Sequence, residues 1–261
     1  MLAKLMKYDI RNMSKILIYF YIITIALAGI TRLIHLGSHI HFVFIIEQVF
    51  AGCVFAGIGN ILVNTFVHII STFRKSFFKD ESYLTHTLPI HKNKLLLSKY
   101  LSALLVILAS ILVIFLSLFI MYYSPEFMIS VQAFLSTVVT GTNIPIGVTL
   151  ALIIAIVFVE ICCFISIAFT SIIQGHAEND KKAFKSAICF VAYYFATMVI
   201  TLIAIAIIFA ISGNIDQLTA TTLTEPAFLT LLITALVAYI GFAIAFFFIS
   251  RKLFNRGVNV D

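Results

Sequence analysis

The chain has 261 residues, of which 62% are hydrophobic and only 11% charged, and it carries a formal net charge of +6. Such a composition excludes an ordinary soluble domain, and unbroken apolar runs exclude a transmembrane β-barrel, whose strands alternate. No basic, aromatic-interleaved soluble face accompanies the positive charge, so nucleic acid is not an expected partner.

A stretch of ~20 apolar residues crosses ~30 Å of hydrocarbon. Six stretches qualify: residues 16–34, 42–71, 100–123, 146–173, 187–212 and 228–250. The expected fold is therefore an all-α membrane protein with six transmembrane helices, forming a single domain over residues 1–261. Its orientation follows from the seventeen Lys and Arg. Sixteen lie in residues 1–15, 72–99, 174–186 and 251–261, and one, Arg32, lies in the alternate connections. Both termini are expected in the cytoplasm. Cys53, Cys162, Cys163 and Cys189 all fall within spans, so no disulfide framework is implied. No small-residue cleavage site follows the first span, which reads as a retained helix.

In chain order, residues 1–15 read as an amphipathic helix. At ~100° per residue, Lys4, Lys7, Arg11 and Lys15 fall within an arc of about 80°, with Leu2, Leu5, Met6, Ile10 and Met13 opposite. This pattern predicts an interfacial helix, the alternative being a positive tail that only sets topology. His35, His39 and His41 follow the first span. His35 and His39 are a candidate metal pair by spacing, but without a third ligand type nearby the favoured reading is an interfacial turn, and no metal is expected.

The second span is the most polar inside. Glu47 and Gln48 lie near its outer end, and Asn60, Asn64 and His68 recur every fourth residue on one face. Gly52, Gly57 and Gly59 would let another backbone approach. Glu47 is expected to pair with Arg32. The polar face reads either as a translocation path or as plain helix–helix hydrogen bonding.

The third span is bundle wall. Residues 124–145 repeat apolar positions at helical spacing, which predicts a short outer helix or an ordinary loop. Glu160 sits ~22 Å deep in the fourth span and must face protein or water. Gly175 breaks the helix after it, and Tyr193 and Tyr194 read as an interfacial belt in the fifth span.

Residues 72–99, TFRKSFFKDESYLTHTLPIHKNKLLLSK, form the one long polar interruption and hold six of the seventeen Lys and Arg. Asp80 suits a helix N-cap, Tyr83 and Leu84 supply apolar contacts, and Pro89 ends the segment. A short helix displaying these side chains to the cytosol reads as a docking element for a soluble partner.

At these residues the chain resembles the Gram-positive six-span ABC exporter permeases of the second type. KDESYLTHTLPIHKNKLLLSKYLSALL is similar to their coupling loop, and the ends MLAKLMKYDIRN and RKLFNRGVNVD are similar to their termini. The resemblance implies a coupling helix formed by Lys79, Asp80, Glu81, Ser82, Tyr83, Leu84 and Thr85, seated in an ABC ATPase. It also implies two such ATPase subunits, a second permease subunit, the same chain or a related one, and the bacterial cytoplasmic membrane. The chain has no phosphate-binding glycine loop, so ATP and Mg would belong to the partner, and this chain would be a transport subunit, not an enzyme. Phe-rich walls suit amphipathic or hydrophobic cargo, with peptides such as toxins, bacteriocins or antimicrobial peptides expected first. The alternative is an ATP-independent secondary transporter or channel using Glu47 and Glu160. An intramembrane enzyme is disfavoured, because Glu160 stands alone and the histidines have no nucleophile beside them.

Overall fold

A computed structural model describes residues 2–35, 41–79, 92–122, 146–177, 182–213 and 223–256, with 129, 133, 139–140 and 216 between them. The chain is helical: α1 (Leu2–His35), α2 (His41–Phe78), α3 (Lys92–Tyr122), α4 (Ile146–Gly175), α5 (Lys182–Ile211) and α6 (Glu225–Asn255). All six are long and apolar enough to cross a membrane, the pattern of a multi-pass membrane protein. Two-residue strands β1 (Val139–Thr140) and β2 (Leu223–Thr224) pair in parallel.

The helices form two compact units, Met1–Phe127 and Met128–Asp261. In the first, α1 is the hub on which α2 and α3 pack; in the second, α4 is the hub for α5 and α6.

Within the first unit, α1 departs from the expected division at residues 15 and 16. It is one unbroken helix of 34 residues, about 51 Å at helical rise. No Gly or Pro interrupts its first half, and its amphipathic stripe continues into the span. Within residues 3–15, Asp9 and Met13 are buried, Leu5, Met6 and Ile10 are half-buried, and Lys4, Lys7, Arg11 and Lys15 are exposed.

Helix α2, with 38 residues, is about 57 Å long and so outruns the hydrocarbon by some 25 Å. The basic end of this unit has its own core. Phe73, Phe77 and Phe78 are fully buried, and the Phe73 and Phe77 rings meet edge to face at 5.0 Å. Leu95, Leu96 and Tyr100 of α3 are buried as well.

Further along, one hydroxyl node joins all three helices. Tyr21 Oη lies 2.7 Å from Ser110 Oγ, which lies 2.9 Å from Thr65 Oγ1. Bonds of this kind contribute about 0.6 kcal/mol each within a membrane. Of the three glycines expected to thin α2, Gly57 alone does so: a Cβ there would stand 2.9 Å from Thr24 Oγ1, whereas Gly52 and Gly59 have nothing within 4 Å.

In the second unit, Thr170 on α4 donates to the Phe246 carbonyl of α6 at 3.1 Å. Cys163, Ile167 and Phe246 form a core edged by Phe190, Tyr193, Tyr194, Tyr239 and Phe242. Tyr193 and Tyr194 thus pack within the bundle: Tyr193 donates to Gln174 Oε1 and meets the Phe246 ring at a tilt of 60°, and Tyr194 lies parallel to Phe190. Gly175 closes α4 because α5 arrives on top of it. A Cβ there would stand 2.0 Å from Ser186 Oγ, 2.7 Å from Ser186 N and 2.8 Å from the Lys182 carbonyl oxygen.

This contact makes a direct prediction. Gly175→Ala must push backbone aside and should destabilise by about 1–3 kcal/mol, whereas Gly59→Ala should be neutral or slightly stabilising. Thermal unfolding in detergent, compared with the parent chain, should order the variants in that way.

Candidate functional site: two polar ends of the first unit

At the basic end, Lys99 Nζ donates to Asp9 Oδ1 at 2.6 Å, and the two side chains are only 8% and 6% exposed. Lys99 is the last charge of the polar interruption in sequence. Here it is inside α3, tying the start of that helix to the N-terminal turns of α1. In sequence Lys99 is one more cation of the polar interruption, and Asp9 draws no reading. The missed cue is that Asp9 lies amid the apolar side of residues 2–15, opposite the basic arc. An acid there needs a buried cation.

At the other end, α1 finishes beside the start of α2. Glu47 Oε1 lies 2.8 Å from His35 Nδ1, a hydrogen bond for either charge state of the imidazole and an ion pair when it is protonated. This overturns the expected Arg32–Glu47 pair. Arg32 lines the same cavity without an ion pair to Glu47, because His35, one turn later on the same helix, reaches the carboxylate first. The cavity, about 130 Å³, is completed by Thr31, Gln48 and Tyr122. It gathers a guanidinium, an imidazole, a carboxylate, an amide and two hydroxyls in one place, a set suited to a small charged group or to proton exchange. No group of three His, Cys, Asp or Glu able to hold a metal ion occurs among the described residues. His41 is exposed at the first residue of α2, and His39 lies outside the described residues.

The other expected path residues are divided between the two units. Asn60 is exposed and Asn64 half-buried, and Asn64 Nδ2 donates to the Asn60 carbonyl at 2.9 Å, so this pair partly satisfies itself along α2. His68 is half-buried on the next turn. Glu160 belongs to the second unit, half-buried on α4 within electrostatic reach of Cys163 and Tyr239. Of the expected coupling residues, Lys79 is exposed just past the end of α2. Asp80, Glu81, Ser82, Tyr83, Leu84 and Thr85 lie outside the described residues.

No family model, curated protein or solved structure matches the chain.

The two ion-pair contacts should behave very differently on substitution. Asp9→Asn or Lys99→Met strands a buried charge and should cost about 3–5 kcal/mol, while Asp9→Leu with Lys99→Met should cost less than either alone. The half-exposed His35–Glu47 pair should couple by no more than about 1 kcal/mol, and Arg32→Gln should show no coupling to Glu47→Gln. Double-mutant cycles on detergent unfolding measure both.

Proposed function

We propose that this chain is the membrane-spanning permease subunit of an ATP-driven ABC exporter. In this reading, a separate ABC ATPase docks on residues 79–85, and its closure and opening move the helices that flank them. Two ATPase subunits and two permease subunits make the working transporter in the bacterial cytoplasmic membrane, with ATP and Mg bound by the ATPase. The cargo is amphipathic or hydrophobic, with peptides first in expectation.

The observation that carries this reading is the consolidated basic end of the first unit. A docking element can drive a span only if the push is not absorbed by slack between them. The helix entering the segment, α2, continues past the bilayer thickness with Phe73, Phe77 and Phe78 buried. The helix leaving it, α3, is locked to α1 through Lys99 and Asp9. Displacement of residues between these anchors would be passed on to three helices at once. The charge pattern supports the cytoplasmic placing of this end, where an ATPase must be.

The His35–Glu47 cavity favours a second reading, an ATP-independent transporter that exchanges a proton at that end. The shared plan of the two units, three helices around a first-helix hub, also suits it, since such transporters are built from related halves.

Co-expression with an ABC ATPase from the same genome separates the readings. The parent chain should pull down the ATPase and alter its hydrolysis rate in lipid, and Glu81→Ala with Tyr83→Ala should lose the complex while still inserting and folding. A chain that inserts and folds but retains no ATPase would defeat the exporter reading. Transport abolished by Glu47→Gln alone, with no need for ATP, would establish the second.

A further inference from the structure

A second cavity lies on the first unit, along the basic end of α2. Its volume is about 310 Å³, and among the described residues it is lined by Val67, Ile70, Ser71, Arg74, Lys75 and Lys79. Its chemistry changes sharply along the helix. Val63 and Val67 are exposed apolar side chains, 62% and 55% accessible, as a lipid-facing helix surface should be. Two turns later the same helix presents a guanidinium and two ammonium groups. Lys75 and Lys79 are exposed, and Arg74 is half-buried with its Nε atom fully covered and holding no hydrogen bond among the described residues. A planar guanidinium suits a phosphate. Ser71 adds a hydroxyl between the apolar and the cationic parts.

We infer that this cavity is a binding site for one anionic phospholipid, whose phosphate is held by Arg74, Lys75 and Lys79 and whose acyl chain runs along Val67 and Ile70. Charge complementarity calls for an anion. The exposed valines directly below the cations call for an apolar chain attached to it, which an acidic protein surface or a free phosphate does not offer. The inference rests on the membrane-spanning reading, with this end of α2 at the headgroup layer, and not on any ATPase. The bound lipid would set the height of the α2 terminus at the membrane surface, immediately before the proposed docking segment. Anionic lipid content would then act on whatever partner that segment engages.

The test uses the purified full chain in lipid nanodiscs, with native mass spectrometry after release and competition between phosphatidylglycerol and phosphatidylcholine. The parent chain should retain one phosphatidylglycerol in preference to phosphatidylcholine. Arg74→Gln with Lys75→Gln and Lys79→Gln should lower that apparent affinity on the order of a hundredfold, three cations being removed. Lys92→Gln with Lys94→Gln, at a second basic stretch at the start of α3, should leave it unchanged. Val67→Glu should lose the lipid with all three cations in place, and if the triple variant fails to fold, Val67→Glu and Lys75→Gln alone decide the matter. Equal retention of both lipids, equal loss in the α3 variant, or displacement of the lipid by inorganic phosphate would overturn the inference. None of these readouts needs nucleotide or a second chain, so they stand or fall apart from the exporter reading.

Discussion

Lys99 and Asp9 meet where neither has appreciable water, and the first unit is organised around that meeting. Each charge alone would cost several kcal/mol to bury; together they are tolerated only in tight geometry. The pair therefore ties the N-terminal turns of α1 to the start of α3. It also determines what the basic N-terminal turns do, since α1 cannot peel away onto the lipid surface without stranding Lys99. The buried rings at the end of α2 then close the third side. In a bilayer, apolar helices gain little from touching one another instead of lipid, so packing and polar contacts must hold them. The first unit places such contacts along its length: the ion pair, the Tyr21–Ser110–Thr65 node, the Gly57–Thr24 approach and the His35–Glu47 bond. The second unit relies instead on the approach of α5 over Gly175, the Thr170 bond to α6 and an aromatic cluster.

This arrangement bears on function through leverage. The segment proposed to meet a partner lies between two helices that are both anchored, one by buried rings and one by a buried ion pair. A solvated linker would need neither anchor. The cavity of Arg74, Lys75 and Lys79 lies at the same end, so the lipid surface and the partner would act on the same few turns of α2.

Much of the fold was legible because the membrane imposes it. Uniformly apolar stretches of span length have few alternatives, and all six spans correspond to helices in the expected order. What the sequence concealed are relations between distant residues. Asp9 and Lys99 are ninety positions apart, and nothing local to Lys99 separates it from the other loop cations. Glu47 chose His35 over Arg32 because of where α1 ends relative to the start of α2, a matter of helix packing. The strand pairing of Val139–Thr140 with Leu223–Thr224 joins the connection before α4 to the connection before α6, and helical spacing in 124–145 gave no hint of it. Glu160 was found by its cost in lipid, but that argument names no partner.

The most direct measurement is thiol labelling of a single cysteine placed at Lys79, with Cys53, Cys162, Cys163 and Cys189 replaced by Ala or Ser. An impermeant maleimide is applied to right-side-out and inside-out vesicles, with and without the co-expressed ATPase. The account predicts labelling only from the cytoplasmic face, and protection of that site when the ATPase is present; a matching cysteine at Arg32 should label only from outside. Labelling of the Lys79 site from outside, or cytoplasmic labelling that a bound ATPase leaves unchanged, would contradict it.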